Sequence, residues 1–250
     1  MNWDNVYNYN CGGQWEPTDG MIKLISRYVQ RRIGAEQYQV KKKVDLALDI
    51  GCGNGNHISF LEKQGIHCIG IDLSEFAISN AHARLKKEGH HLHEITIMDA
   101  ECLNYPIESF DLILSDGVLD HIVFQKSQII VEKVFHLLKP GGYFFLSLRS
   151  TNDSEFGRGQ FVEKNTYKLE GGYENGEIQH FFDITEIHLF LEKFKIFDLE
   201  RYEVLFPDKY TLDKAFHQSS KGTKIYLDDI ESAFKKTLKS SRWYIAAEKI

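Results

Sequence analysis

The sequence predicts an α/β fold built on a doubly wound, mostly parallel sheet, and three observations carry that reading. Short apolar runs recur along the chain, VDLALDI (44–50), IHCIGI (66–71), EITIM (94–98), FDLILS (110–115) and YFFLSL (143–148). Connections of helix length with a helical period separate most of them, which requires right-handed crossovers and parallel pairing. The chain has 250 residues, 42% of them hydrophobic, enough to bury one such core on both faces as a single domain.

Taken in order, TDGMIKLISRYVQRRI (18–33) has the 3.6-residue period of a helix, with Thr18 or Asp19 as its cap. NHISFLEKQ (56–64) reads as a helix, and SEFAISNAHARLKKEG (74–89) as another, started by Ser74 and stopped by Gly89. KSQIIVEKVFHLL (126–138) is a helix followed by a KPGG turn. After Leu148 the period is lost through Phe182, in a stretch with glycines at 157, 159, 171, 172 and 176 and aromatics at 156, 161, 167, 173, 181 and 182. A loop of that length is usually functional or disordered; its aromatics suggest a lid or the wall of a pocket, or else packing alone. DITEIHLFLEKF (183–194) then reads as a helix capped by Asp183 or Thr185, and KIFDLERYEVLF (195–206) as a strand. YLDDIESAFKKTL (226–238) follows as a helix and SRWYIAAEK (241–249) as the closing strand. Residues 1–43 form an N-terminal helical cap on this reading, and 149–182 and 207–240 are insertions.

A net charge of −6 argues against a polyanion partner. The basic pairs at Arg31–Arg32 and Lys41–Lys43 lack the interleaved aromatics of a nucleic-acid surface. No apolar run approaches the ~20 residues of a membrane span, and the polar start MNWDNVYNYN does not read as a signal peptide. The four cysteines (11, 52, 68, 102) are far apart, which suits reduced thiols and a cytoplasmic location. HHLH (90–93) has neither a cysteine partner nor helical spacing, and no metal site is expected.

Ligands of a doubly wound sheet bind at the carboxyl ends of its strands, so the loops after Ile50, Ile71, Met98 and Ser115 matter most. The first, DIGCGNG (49–55), has Gly51, Gly53 and Gly55 in G-x-G-x-G spacing, with Asn at 56. A dinucleotide loop needs G-x-G-x-x-G and a P-loop needs GK[ST], so neither phosphate reading fits. Asp72 ends the second strand about 20 residues on, where a carboxylate accepts both hydroxyls of a ribose. Asp99, with Ala100, ends the third and is placed to meet a purine edge. A ribose partner, a base partner and no pyrophosphate apparatus describe a nucleoside with a non-phosphate tail.

With GIDLS (70–74), MDAECLNYP (98–106), FDLILSDGVLDHI (110–122) and LKPGG (138–142), the region from Asp45 to Leu148 resembles the class I S-adenosylmethionine-dependent methyltransferases in motif order and spacing. The resemblance implies a Rossmann-like sheet of seven strands with the last antiparallel, for which 195–206 and 241–249 supply the final pair. It implies S-adenosyl-L-methionine as cofactor. Asp49, Gly51 and Gly53, with Cys52 between them, would hold its methionine part. Asp72 would take the ribose hydroxyls, Leu73 would pack on the adenine, Asp99 and Ala100 would hold the adenine edge, and Ser115 would lie beside the sulfonium.

Methyl transfer from a sulfonium is an in-line displacement that needs alignment above all, and a base only when the acceptor must lose a proton. His121 is the candidate base, or else a residue that shapes the pocket. Asp116 and Asp120 lie near it in sequence without making a magnesium site. The fourth motif reads SDGVLDHI and lacks the [ND]PP[YF] of enzymes that methylate planar amines, which points to a small-molecule acceptor whose methylated atom stays open. A nicotinamide-nucleotide oxidoreductase and a non-catalytic nucleoside-binding module are the alternatives on the same fold.

Overall fold

In the computed structural model the described residues are 3–4, 17–35, 37–89, 94–170, 174–207 and 237–250. Helix α1 (Asp19–Tyr28) leads into a hairpin of β1 (Gln30–Arg32) and β2 (Tyr38–Val40). The alternating part follows: β3 (Leu46–Ile50), α2 (Asn56–Glu62), β4 (His67–Asp72), α3 (Glu75–Lys87), β5 (Ile95–Ile97), β6 (Phe110–Asp116), α4 (Phe124–Leu137) and β7 (Leu138–Arg149). Beyond it come β8 (Gln160–Glu163), β9 (Thr166–Lys168), β10 (Ile178–His180), α5 (Ile184–Phe190), β11 (Phe194–Pro207) and β12 (Thr237–Lys249).

The central sheet has seven strands in the order β11–β12–β7–β6–β3–β4–β5. Strands β3 to β7 pair in parallel, while β12 runs antiparallel between β7 and β11. Because β4 lies on one side of β3 and β6 on the other, the winding reverses between β3 and β6, and their carboxyl ends open a crevice there.

The strands are almost wholly apolar because helices cover both faces. Along β6 and β7, Ile113, Phe144 and Leu146 face one core with Ile130, Val134 and Leu137 of α4 and Phe190 of α5. Leu112, Leu114 and Phe145 face the other, with Met21 and Ile25 of α1, Ile58 and Leu61 of α2, and Leu85 of α3. Ser74 caps α3 by accepting the Ala77 N–H at 3.1 Å, and Asp183 caps α5 through the Glu186 N–H at 2.9 Å.

Three expectations are corrected. The first helix stops at Tyr28 and not Ile33, because the Val29 carbonyl turns to take the N–H groups of Lys41 and Lys42 (2.8 and 3.1 Å) and the following residues join a hairpin. KPGG is no separate turn but the start of the long strand β7, where Leu138 already pairs with Phe110. The stretch after Leu148 contains a three-stranded antiparallel sheet, β10–β9–β8, with Phe181 and Phe182 fully buried beneath it. HHLH, the helix expected over 226–238 up to residue 236, and the bulk of the 207–240 insertion lie outside the described residues.

The glycine loop is tied to the strand beside it: the N–H groups of Gly51 and Cys52 both donate to the Ile71 carbonyl, at 2.8 and 2.9 Å. Gly51 has φ +70°, and a Cβ there would collide with Cγ2 of Val118 from the loop after β6. What lies against this backbone is, in the first place, the chain itself. Gly51→Ala should lower unfolding stability by about 1–2 kcal/mol through the left-handed backbone and about 1–3 kcal/mol more through overpacking. In a denaturant titration the Gly51→Ala/Val118→Ala double variant should recover the second part only.

Candidate functional site

An open cleft lies at the carboxyl ends of β3, β4, β5 and β6, a position typical of ligand sites. Gly51 lines it from the loop after β3, Ile71, Asp72 and Leu73 from the end of β4, and Met98, Asp99 and Ala100 from the end of β5. Asp116, Gly117, Val118, His121 and Ile122 come from the segment after β6, and Trp3 closes one side.

Asp72 is fixed from both ends of its carboxylate. Oδ2 accepts the Gly53 N–H and Oδ1 the Ser74 N–H, each at 2.9 Å. Burial raises its pKa above the ordinary aspartate value, and these backbone bonds offset part of the rise. Each oxygen keeps a second lone pair for a ligand hydroxyl. Leu73 stands 47% exposed over the cleft, as a flat apolar ligand would require. Asp99 Oδ1 accepts the Glu101 N–H at 2.8 Å and so starts the turn that carries Ala100 into the wall.

Four residues assigned to the site from the sequence do not line the cleft: Asp49, Cys52, Gly53 and Ser115. The Cys52 side chain is buried in the core, against Gly70, and burial pushes its thiol well up. Its place in the glycine loop is a matter of backbone. Gly53 serves the site through the N–H that holds Asp72. Ser115 is fully buried with no partner for its hydroxyl, because alternation along β6 turns it inward and delivers the next residue, Asp116, to the cleft. Asp49 is likewise fully buried, with Oδ2 3.3 Å from His57 Nδ1 and Oδ1 without a partner.

His57 is the charged residue the sequence reading missed, since only the fold brings it between two acids. Its Nδ1 faces Asp49 and its Nε2 lies 3.3 Å from Asp116 Oδ2. Burial alone would lower its pKa, but the carboxylates of Asp49 and Asp116 raise it to about 10. Burial would raise Asp116, yet His57, Arg242 and the Ser147 hydroxyl hold it at about 2. Thr18, expected to cap α1, donates its hydroxyl to Asp116 Oδ2 instead, at 2.8 Å.

His121 is buried, and its Nδ1 lies 3.1 Å from the Ile178 carbonyl of β10. A carbonyl only accepts, so Nδ1 carries the proton in the neutral ring and Nε2 keeps its lone pair. The Trp3 ring meets His121 edge-on, with centroids 4.9 Å apart, and Glu174 Oε1 lies 3.9 Å from Nε2. Asp120 belongs to another network: its Oδ2 takes Arg242 Nη1 at 3.0 Å and the Arg149 N–H at 3.1 Å, and the Gln179 amide donates to its backbone carbonyl at 3.1 Å. None of the described residues of 149–182, neither Phe161 and Tyr167 nor Phe181 and Phe182, lines the cleft. Of the two roles open for those aromatics, pocket wall or packing, the described residues take the second, in a unit that grips the turn carrying His121.

A cleft at the switch point of a doubly wound sheet, with an acid at the end of its second strand and a non-phosphate glycine loop, defines a nucleoside-binding Rossmann-like domain. The family model described as "Methyltransferase domain" matches residues 48–146. The match runs from β3 into β7 and takes in Gly51, Asp72, Asp99 and His121 of the cleft. The ubiquinone biosynthesis O-methyltransferase of Coxiella burnetii is 28% identical over 138 residues, which are 55% of this chain and 57% of that one. The chain thus spans little more than half the length of this curated relative. The crystal structure of a SAM-dependent methyltransferase from Methanosarcina mazei superposes with a TM-score of 0.61 at 22% identity, covering 84% of this chain and 94% of that one. That of 1,6-didemethyltoxoflavin-N1-methyltransferase from Burkholderia thailandensis, with bound 1,6-didemethyltoxoflavin and S-adenosylhomocysteine, gives 0.58 at 16% identity, covering 92% and 76%. At these identities the two structures speak for the fold. The residues present suit the cofactor's nucleoside, with the Asp72 carboxylate and Leu73 bordering one cleft.

The His57 pair sets a pH dependence. Its folded pKa lies above the ordinary imidazole value, so its stabilising contribution is complete below about pH 6.5 and is lost as pH rises through about 10. Thermal unfolding measured across that interval should show a decline in the wild type that is reduced in His57→Gln.

Proposed function

We propose that the protein is an enzyme that transfers the methyl group of S-adenosylmethionine to a small-molecule acceptor in the cytoplasm. The observation that carries this reading is that one cleft is lined both by Gly51, Asp72, Leu73, Asp99 and Ala100 and by Asp116, His121 and Trp3. On this reading Asp72 accepts the ribose hydroxyls, Leu73 covers the adenine, and Asp99 with Ala100 borders its edge. The cofactor supplies an activated methyl and its own leaving group. What remains for the protein is to hold the acceptor atom in line with the methyl and to exclude water, through Trp3, Val118 and Ile122.

His121 Nε2 suits a general base, because the Ile178 carbonyl fixes the other nitrogen as a donor. The absence of a cleft-lining Lys or Arg among the described residues agrees with a small acceptor and not with a nucleic-acid backbone. The nicotinamide alternative lacks its glycine spacing. The binding-module alternative differs only in turnover, so production of S-adenosylhomocysteine with a panel of phenols and amines decides between them.

S-adenosylhomocysteine at 100 times its Kd should stabilise the fold by about 2.7 kcal/mol, and NADH should not. A thermal shift with NADH alone would overturn the reading. Asp72→Asn should weaken S-adenosylhomocysteine by about tenfold or more, since a charged acceptor of two hydroxyls is lost. His121→Ala should depress kcat by about 10²–10⁴-fold while leaving cofactor affinity near wild type. An unchanged pH–rate profile in that variant would make His121 a wall residue.

A further inference from the structure

We propose that His57 is a positioning residue for the cofactor: by bridging Asp49 and Asp116 it keeps a negative charge on Asp49 that favours the amino-acid tail of the bound nucleoside. The inference rests on the functional reading above and adds a residue that the motif pattern did not assign.

The geometry is that of a clamp across the switch point. Asp49 comes from β3 and Asp116 from β6, the two strands between which the sheet winding reverses. His57, in the first turn of α2, spans them with 3.3 Å contacts from its two ring nitrogens. Two buried carboxylates so placed repel each other, and a cation between them relieves the repulsion. The two acids are not equally supported. Asp116 also accepts from Thr18 and from Ser147 and has Arg242 nearby. Asp49 is fully buried, and the only hydrogen-bond or ion-pair partner its side chain has among the described residues is His57. His57 therefore decides how that carboxylate is held.

The charge on Asp49 has a use. Its Oδ1 is buried and has no partner among the described residues, a state that costs free energy unless something compensates it. Asp49 lies two positions before Gly51, whose backbone borders the cleft, so a cation bound beside the loop would feel a carboxylate across little intervening protein. Among the parts of a nucleoside with an amino-acid tail, the ammonium is the group such a charge selects. The other acids at the cleft do different work: Asp72 is held by Gly53 and Ser74, and Asp99 by Glu101.

The test compares two probes by calorimetry, S-adenosylhomocysteine and 5′-methylthioadenosine, which shares the nucleoside and lacks the amino-acid tail. His57→Gln should weaken the first by about tenfold or more, the loss of a charge-assisted contact, and leave the second within a factor of about two. Asp49→Asn should do the same, and the His57→Gln/Asp49→Asn double variant should be no weaker than either single, because the two act as one unit. Asp72→Asn should weaken both probes alike. Equal loss of both probes in His57→Gln, no loss of either, or additive losses in the double variant would overturn the role given to His57. A wild type that binds neither probe would overturn the functional reading itself. Nitrogen NMR of the wild-type ring supplies a readout that needs no variant to fold. At mildly alkaline pH both His57 nitrogens should be protonated and should shift when S-adenosylhomocysteine binds, whereas a neutral ring would sink the proposal.

Discussion

The rest of the site depends on how charge is buried where β3 and β6 part. A parallel sheet covered on both faces offers no water to its carboxyl-end acids, yet Asp49 and Asp116 sit there with 0% and 8% side-chain exposure. Burying a carboxylate costs several kcal/mol unless a cation or donors meet it. His57 meets both, and Thr18, Ser147 and Arg242 complete the set around Asp116. These partners come from α1, α2, β7 and β12, so the loop after β6 is fixed by nearly every layer of the fold. Gly51 follows from the same constraint: Val118, two residues beyond Asp116, occupies the space a Cβ would need.

The sheet was legible in the sequence because double-sided burial erases alternation and leaves runs such as LALDI and FDLILS. Helix starts were legible where a side chain makes the cap, at Ser74 and Asp183. Less legible was the end of α1, since Val29 and Ile33 fit a helical period as well as they fit a hairpin, and only the Lys41 and Lys42 amides decide between them. The small sheet of β8, β9 and β10 left no period to read. Its strands are three or four residues long, and β8 exposes Phe161 and Val162 while its neighbours bury Thr166 and Gln179.

For the site, chain position was readable and side-chain direction was not. Spacing located Asp72, Asp99 and Gly51 correctly at strand ends, and all three border the cleft. It could not tell that Asp49 and Ser115 turn inward, or that Cys52 and Gly53 act through backbone. Trp3 reaches His121 from more than a hundred residues away, and His57 gains meaning only once β6 brings Asp116 beside it. Contacts of that kind have no sequence period.

The family match ends at residue 146, just before the part of the chain that holds the His121 turn. Arg149 and Gln179 grip Asp120 through an N–H and an amide, Ile178 sets the His121 ring, and Arg242 of β12 supplies the charge opposite Asp120. The glycine loop and Asp72 are thus held by elements inside the matched region, and the His121 turn by elements outside it. On the proposed reading, the acceptor is to be sought in the chemistry of Trp3, Asp116, His121 and Ile122, and in how the segment beyond β7 holds them.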